Sequence, residues 1–396
     1  MDWNLFTFEY HLDPAGTQAS LISIEAYKEA ALNLVLPPDW GEHLDKLNRI
    51  RAIHGTTALE GNPLSEAEVS RQIELIDRDD QPLPGNPTAE QLQIRNSALA
   101  QAWAKDRFLP GKLPMALNDV LEMHRMITRG SDEKNNEPGR FRTFEVTVGA
   151  MELGGVHRGA PHLEVPRRME EFISFVNSRK PKEQHPVIRA LLAHFFLVTI
   201  HPFGDGNGRV SRLVEAGILF QGGYNVRGFY GLSNYFYRND RQYKTLLQEC
   251  RRRQPFDVTP FITFGLQGFA AELKGINNFI KTKLNRVIYR DTLVRAFNRK
   301  TGKRRRALNQ REYNLLSFLL TETEPVDPFS EQPSRRIPLS ELIQAPFVKA
   351  AYGGVTPRTL HRELFRLAEL GFIDFKSDEA AGGQIVELNF GAIGRY

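Results

Sequence analysis

Twelve consecutive residues, His201 to Arg212, concentrate side chains suited to chemistry on phosphates, in the order His-Pro-Phe-Gly-Asp-Gly-Asn-Gly-Arg-Val-Ser-Arg. The imidazole of His201 has an ordinary pKa near neutrality, so it can accept a proton from an attacking hydroxyl. Asp205 offers a carboxylate, and Mg²⁺ favours a carboxylate together with phosphate oxygens. The stretch therefore predicts a base and a divalent-cation ligand in one loop.

Glycines and arginines in the same stretch predict an anion site. Gly204, Gly206 and Gly208 let a phosphate approach the backbone closely. Arg209 and Arg212 share one face of the helical turn that follows, where the helix dipole disfavours cations unless a polyanion neutralises them. A tight turn with a core histidine is the simpler interpretation of each feature alone, but it does not explain the combination.

Neither a Walker loop nor a dinucleotide-binding fingerprint matches this stretch, and no His-Glu-x-x-His zinc pattern occurs in the chain. The stretch 201–212 resembles the signature of the Fic family, HPFx[D/E]GNGRxxR, and fills each of its positions. The resemblance implies attack by a Ser, Thr or Tyr hydroxyl of a target protein on the α-phosphate of ATP. Pyrophosphate would leave and the target, or the enzyme itself, would keep AMP.

The same resemblance implies a role for each motif residue. It makes His201 the general base, Phe203 the anchor of the loop in the core, and Asp205 the Mg²⁺ ligand. The remaining motif residues share contact with the nucleotide phosphates. They are Gly206, Asn207 and Gly208, as the anion hole, and Arg209 and Arg212, as ligands of the β- and γ-phosphates.

A second motif lies upstream, in Thr56-Thr-Ala-Leu-Glu60-Gly61. An acid at the C-terminal end of a helix is unfavourable to the helix dipole, and a lone glutamate there is usually an exposed residue of little consequence. The stretch resembles the inhibitory motif of Fic proteins, (S/T)xxxE(G/N). By that resemblance, Glu60 pairs with Arg212 and keeps a γ-phosphate from binding productively.

Two further segments resemble parts of Fic proteins that surround the nucleotide. Arg142 to Arg158, with an alternating run at 144–149, predicts a β-hairpin flap that would clamp a target backbone as an added strand. The alternative is a surface hairpin without a partner. Tyr243, in the segment Asn239-Asp-Arg-Gln-Tyr, is a candidate to line the base pocket, although an aromatic at such a position is as often a core residue.

The elements that must position these residues are mainly helices. The apolar run 186–200 predicts a buried helix directly before the motif. Other helical patterns cover 40–59, 88–107, 115–128, 165–178, 209–221, 240–252 and 258–284. We therefore expect a mainly α fold in three sections: an N-terminal helical region with the inhibitory helix (1–110), a Fic catalytic domain with the flap (111–285), and a linker with a small winged-helix-like α+β domain (286–396).

The C-terminal section combines helices, predicted at 310–320, 337–349 and 356–370, with a two-stranded wing at 371–388. This order resembles a winged helix, and it would place Arg358, His361, Arg362 and Arg366 where they could contact DNA phosphates. A protein-docking or dimerisation module is the alternative. The span 286–311 carries ten Lys and Arg residues against one Asp; a solvated helix face and linker is the simpler explanation of it.

The composition argues against a membrane-spanning, secreted or disulfide-stabilised protein. A net charge of +5 over 396 residues is modest and does not by itself indicate nucleic-acid binding. No apolar run approaches the roughly 18 residues of a membrane span, and the N-terminus lacks the pattern of a secretory signal. One cysteine excludes an internal disulfide framework, so we expect cytoplasmic residence.

Two other functions stay open. Removal of AMP from a modified protein would use the same site, with Glu60 positioning a water molecule. A DNA-binding regulator would use the Fic domain only to sense nucleotide, although the intact His201 and Asp205 favour chemistry.

Overall fold

The computed structural model describes residues 2–34, 36–78, 86–229, 231–301, 305–324, 336–378 and 383–395. Lys303 and Arg304 of the basic span lie outside these residues. The chain divides into two compact units, 1–274 and 275–396. The three-section division made from the sequence remains a proposal, because the helices up to residue 274 pack as one unit. Among the described residues, no helix combines the length and apolarity needed to cross a membrane.

The first unit is built from helices. They are α1 (Gln18–Asn33), α2 (Pro38–Ala58), α3 (Glu66–Arg78), α4 (Ala89–Arg107), α5 (Leu117–Thr128), α6 (Val165–Asn177), α7 (Arg179–Lys182), α8 (Pro186–Ile200), α9 (Asn207–Gln221), α10 (Ser233–Arg238) and α11 (Asp240–Cys250), followed by the long helix α12 (Thr259–Asn298). Two short strand pairs accompany them: β1 (Tyr10–His11) runs parallel to β4 (Phe256–Asp257), and β2 (Thr147–Ala150) runs antiparallel to β3 (Gly155–Arg158). The predicted mainly helical fold with a β-hairpin is confirmed.

Helix α8 forms the centre of this unit because nearly all of its side chains are apolar. Leu191, Phe195 and Phe196 have no solvent exposure, and burial of such side chains is the main force that assembles the surrounding helices. Helix α9 packs directly against α8, and α2, α4 and α5 pack in turn against α9. The loop between α8 and α9 is therefore anchored at both ends in the core.

Two predicted boundaries, one in the flap and one at the end of α12, are wrong. The flap strand begins at Thr147 rather than Phe144, because the Phe144 carbonyl accepts a hydrogen bond from Arg142 and is not free to join a strand ladder. Helix α12 continues to Asn298, well past the predicted end at 284. Its apolar residues keep recurring on one face, through Tyr289 and Leu293, and no proline interrupts the helix beyond its first turn.

The second unit contains the end of α12 followed by β5 (Lys300–Thr301), β6 (Arg305–Arg306), α13 (Gln310–Glu322), β7 (Ile337–Pro338), α14 (Leu339–Gln344), α15 (Pro346–Tyr352), α16 (Pro357–Glu369), β8 (Ile373–Asp378) and β9 (Gly383–Leu388). Strands β5 and β6 pair with each other, and the other three form an antiparallel sheet in the order β7-β9-β8. The core joins Leu316, Leu364, Leu367 and Phe372.

The helix predicted at 337–349 is wrong in two places. Ile337 and Pro338 form strand β7, and the helix breaks at Ala345, whose extended backbone is what a following proline, Pro346, imposes. The wing therefore has a third strand. Its likeness to a winged helix remains a prediction.

The packing of α2 depends on Gly55. A Cβ atom at Gly55 would lie 2.7 Å from backbone atoms of Ser233 and Asn234 in α10. We predict that Gly55→Ala lowers the free energy of unfolding of the first unit by about 2 kcal/mol, because neither backbone can yield cheaply. Urea denaturation followed by tryptophan fluorescence measures this unit, because all three tryptophans precede residue 104.

Gly41, in the same helix α2, is the matched control. A Cβ atom there would meet nothing within 4 Å, so Gly41→Ala should stabilise by roughly 0.5–1 kcal/mol through helix propensity. Equal effects of the two substitutions would contradict the packing argument.

Candidate active site

The loop between α8 and α9 holds a fixed shape. His201 ends α8 with a left-handed backbone (φ 54°), and Gly206 begins α9 with φ 76°. Asn207 closes the loop on itself, since its amide group both accepts from the Phe203 N–H and donates to the Phe203 carbonyl, each at 2.9 Å. The buried ring of Phe203 stacks on His124 at a centroid distance of 3.8 Å.

Gly208 allows a carboxylate to approach the first turn of α9. A Cβ atom at this position would lie 2.1 Å from Oε1 of Glu60 and 3.0 Å from an Arg212 nitrogen. Free N–H groups at a helix N-terminus favour an anion. In this structure the anion beside Gly208 is the side chain of Glu60.

Glu60 and Arg212 form an ion pair. Oε1 of Glu60 lies 2.6 Å from a terminal nitrogen of Arg212, whose side chain is 2% exposed against 32% for Glu60. Burial would raise the pKa of Glu60, but the adjacent guanidinium of Arg212 outweighs it and holds the pKa below its ordinary value. Arg212 also donates to the hydroxyl and the carbonyl of Thr56, at 2.8 and 3.0 Å.

Arg209 does not contact Glu60 but pairs with two aspartates. Its guanidinium lies 2.8 Å from the Asp132 carboxylate and 3.3 Å from that of Asp205, and its side chain is 2% exposed. Asp132 in turn accepts a 2.7 Å hydrogen bond from Gln93. Arg209 is therefore a buried, paired cation next to the exposed Asp205.

A cavity of about 450 Å³ lies above the motif. Its walls include Glu60, His201, Gly208, Arg212 and Tyr243, so the structure brings these five predicted residues together. It does not bring the other four to the cavity wall: Asp205, Gly206, Asn207 and Arg209.

His201 is neutral at physiological pH. Burial, together with the nearby charges of Arg251 and Arg142, lowers the pKa of His201 to about 4. A neutral imidazole facing a cavity can take a proton from a hydroxyl placed there. The hydrogen bond from Arg142 to the His201 carbonyl, at 2.8 Å, fixes the backbone that carries the ring.

Tyr243 lines the cavity and also packs in the hydrophobic core. Its ring lines the cavity and stacks on Phe236 at 4.7 Å. Its hydroxyl lies 2.9 Å from Nε2 of His194, whose Nδ1 lies 2.6 Å from Glu215. This buried chain of hydrogen bonds fixes the orientation of the ring, and burial raises the pKa of Tyr243 to about 12.

Several residues of the site escaped the sequence analysis. His124, which donates from Nε2 to the Asp205 carbonyl at 3.2 Å, and Asp132 lie 81 and 73 residues before the motif aspartate, Asp205, and carry no local signature. Thr56 had a signal, because it opens the inhibitory pattern, but its hydrogen bonds to Arg212 follow only from the packing of α2 on α9.

Residues 114–219 match the sequence model of the Fic/DOC family. Curated relatives named protein adenylyltransferase Fic include one from Drosophila grimshawi, 35% identical over 172 residues, and one from Aedes aegypti, 33% identical over 175 residues. These alignments cover 43 and 44% of this chain. The chain spans about a third of the length of each relative, 33% in both cases.

Solved structures share the fold. A Fic family protein from Desulfovibrio desulfuricans superimposes with a TM-score of 0.56 at 20% identity, covering 97% of this chain and 98% of that one. Fic-1 from C. elegans superimposes with a TM-score of 0.55 at 23% identity, covering 68% of this chain and 74% of that one.

The buried pair of Arg209 and Asp132 generates a stability prediction. Asp132→Asn should lower the free energy of unfolding by about 3 kcal/mol, because it leaves a buried guanidinium without its main partner. Urea denaturation followed by tryptophan fluorescence checks this. Glu137→Gln, which breaks the exposed pair with Arg140, is the control and should change stability by less than about 0.5 kcal/mol. Similar losses in both variants would refute a special role for the buried pair.

Proposed function

We propose that this chain, which carries a Fic domain in residues 114–219, is a protein adenylyltransferase that moves AMP from Mg·ATP to a Ser, Thr or Tyr hydroxyl. The observation that carries the proposal is the cavity in which a neutral base, His201, and a buried cation, Arg212, lie beside the glycine-rich N-terminus of α9. The adenylyltransferase names of the relatives support the same chemistry.

In the proposed transfer step, each bond that forms or breaks and the proton that moves can be assigned to named atoms. The hydroxyl oxygen of the target attacks the α-phosphorus, and its proton passes to the neutral imidazole of His201. A P–O bond forms to the target, and the bond between the α-phosphorus and the α,β-bridging oxygen breaks. Pyrophosphate leaves with the bonding electron pair. Catalysis would come from positioning and charge stabilisation.

The phosphates would lie on the first turn of α9. Gly208 and Asn207 would offer backbone N–H groups, and the Gly206 N–H, which now donates to the Asp205 carboxylate, would join them once it leaves that carboxylate. Arg212 would bind the γ-phosphate once Glu60 moves away. Arg209, held by Asp132, would contribute positive charge near the β-phosphate. This arrangement uses the helix N-terminus as an anion site.

Asp205 is the proposed Mg²⁺ ligand. Its side chain is 56% exposed, and only its Oδ1 atom is hydrogen-bonded within the described residues, which leaves Oδ2 for a cation. One carboxylate plus phosphate oxygens and water is a donor set that suits Mg²⁺. The bound ion would neutralise charge on the phosphate chain during transfer.

The flap is the proposed contact for the target. Val148, Gly149 and Ala150 of β2 line the same cavity as His201. An extended target segment added beside this hairpin would place its hydroxyl near the base. The target, which could include this protein itself, would be recognised mainly through its backbone. We place the protein in the cytoplasm, where ATP is available; its one cysteine, Cys250, is a buried free thiol.

Glu60 is the proposed inhibitor of the transfer. It binds the cation that would receive the γ-phosphate, and it lies at the glycine that borders the anion site. The ion pair must open before ATP can bind with its α-phosphate near His201. Helix α2, which ends just before Glu60, would control this opening.

Removal of AMP is the second candidate reaction. The carboxylate of Glu60 lines the same cavity as His201, so it could position a water molecule against an AMP-modified hydroxyl. Labelled AMP-protein incubated with the wild type would lose label, and Glu60→Gly would abolish that loss.

A DNA-binding role of the second unit is a separate proposal, and it would use helix α16. Arg358, His361 and Arg362 lie exposed on α16, whereas Arg366 is paired with the buried Glu312. A salt-dependent gel shift would test this role. A second copy of the chain as partner of this module is the alternative.

We predict that Glu60→Gly raises incorporation of label from α-labelled ATP by about tenfold or more, the size expected for one charge-assisted contact. The double variant Glu60→Gly/His201→Ala should incorporate label at least about 100-fold more slowly than Glu60→Gly. Glu60→Gln, which keeps the shape and removes the charge, should fall between wild type and Glu60→Gly. Unchanged labelling in a well-folded Glu60→Gly protein would refute the inhibitory role.

The pH profile of Glu60→Gly provides a second prediction. A base is active when deprotonated, so a His201 pKa of about 4 leaves it active throughout the neutral range. With saturating Mg²⁺, kcat/KM should be flat between about pH 5.5 and 8 and should fall only below that range. A decline centred on the ordinary histidine value of about 6.5 would contradict a buried, neutral base.

A further inference from the structure

Arg251 is a buried cation of the cavity that the Fic motif does not include. It follows the last residue of α11, is 7% exposed, and lines the cavity together with His201 and Arg212. Its Nε donates to the Thr199 hydroxyl at 3.0 Å. One of its terminal nitrogens, Nη2, is buried and has no hydrogen-bond partner among the described residues.

Arg251 differs from the other two arginines of the site in its charge pairing. Arg212 pairs with Glu60 and Arg209 with Asp132, whereas no carboxylate pairs with Arg251 within the described part of the chain. Burial lowers the pKa of Arg251 to about 10, so it stays protonated at neutral pH. A buried charge without a partner is costly, and folded proteins seldom keep one without a use.

The composition of the cavity indicates what the missing partner is. Arg251 and Arg212 face it, and the carboxylate among its lining residues, Glu60, is already bound to Arg212. Lys244 also lines the cavity, but its charge is paired with Asp240 at 2.7 Å. The cavity therefore has an excess of positive charge. A ligand with several negative charges would balance it, and a phosphate chain has that charge.

We propose that Arg251 is a further phosphate-binding residue of this cavity, donating from its unpartnered guanidinium nitrogen to the phosphate chain of the nucleotide. The inference rests on the proposed function, since it concerns the same site. Arg251 lies close enough to His201 for its charge to act on the imidazole. It would therefore bind the chain on the side of the base, whereas Arg212 binds the end that Glu60 now covers.

Isothermal titration calorimetry on the full chain tests the inference. All variants carry Glu60→Gly, so that Arg212 is open, and the probes are Mg·ATP, inorganic pyrophosphate and adenosine. Arg251→Gln should weaken ATP and pyrophosphate binding by about tenfold, as expected for loss of a charge-assisted hydrogen bond. Adenosine, which lacks phosphate, should bind as before. Arg251→Lys should recover part of the loss.

Arg252→Gln is the matched control. Arg252 is the next residue and is exposed, so the same change of charge there should leave all three affinities within about twofold, because exposed charges are screened. Thermal midpoints separate binding from structure. Arg251→Gln should melt no lower than Arg252→Gln, because it removes an unpaired buried charge at the cost of one hydrogen bond to Thr199.

Three results would overturn the inference: an equal loss of adenosine and pyrophosphate binding, no loss in Arg251→Gln, or no pyrophosphate binding to the Glu60→Gly parent. The proposed function fails separately. If ATP and pyrophosphate bind through Arg251 but no AMP reaches protein, the inference stands and the transferase does not. If AMP is transferred with an unchanged KM for ATP in Arg251→Gln, the transferase stands and the inference does not.

Discussion

The ion pair between Glu60 and Arg212 is the contact on which the site depends. It needs Gly208, because any side chain there would collide with the glutamate, and Gly55, because α2 must approach α10 closely to bring Glu60 to this place. It also needs Thr56, whose hydroxyl and carbonyl orient the guanidinium. One carboxylate thus lies beside the N-terminus of α9 and pairs with a buried arginine, two features that would otherwise attract a phosphate.

The charges around the cavity form two groups. Arg209 and Arg212 have carboxylate partners, so they are stable without a ligand. Arg251 has none among the residues that the structure describes, and burial lowers its pKa. The same guanidinium helps to keep His201 neutral. A phosphate chain in the cavity could therefore bind Arg251 without displacing a carboxylate from it. Of the ion pairs at the site, only the one between Glu60 and Arg212 would have to break.

The local part of the site was predictable from the sequence. The motif loop and the helices on either side of it follow from glycine spacing and apolar periodicity. The glutamate at the end of α2 was predicted only because its segment resembles the inhibitory motif of Fic proteins. Asp132, His124 and Arg251 were not, because they reach the motif only through tertiary packing and carry no pattern of their own. The break in the helix predicted at 337–349 and the extended helix α12 have local causes, namely Pro346 and an apolar face that continues past residue 284. Strand β7 instead depends on pairing with the distant strand β9.

The central claim is that Glu60 occupies the place of the terminal phosphate. Crystal structures of the wild type and of Glu60→Gly with Mg²⁺ and a non-hydrolysable ATP analogue test it most directly. The account predicts that in the wild type the pair of Glu60 and Arg212 persists and the terminal phosphate lies away from Arg212. In Glu60→Gly the terminal phosphate should contact Arg212. A wild-type complex in which the terminal phosphate binds Arg212 while Glu60 stays in place would contradict the account.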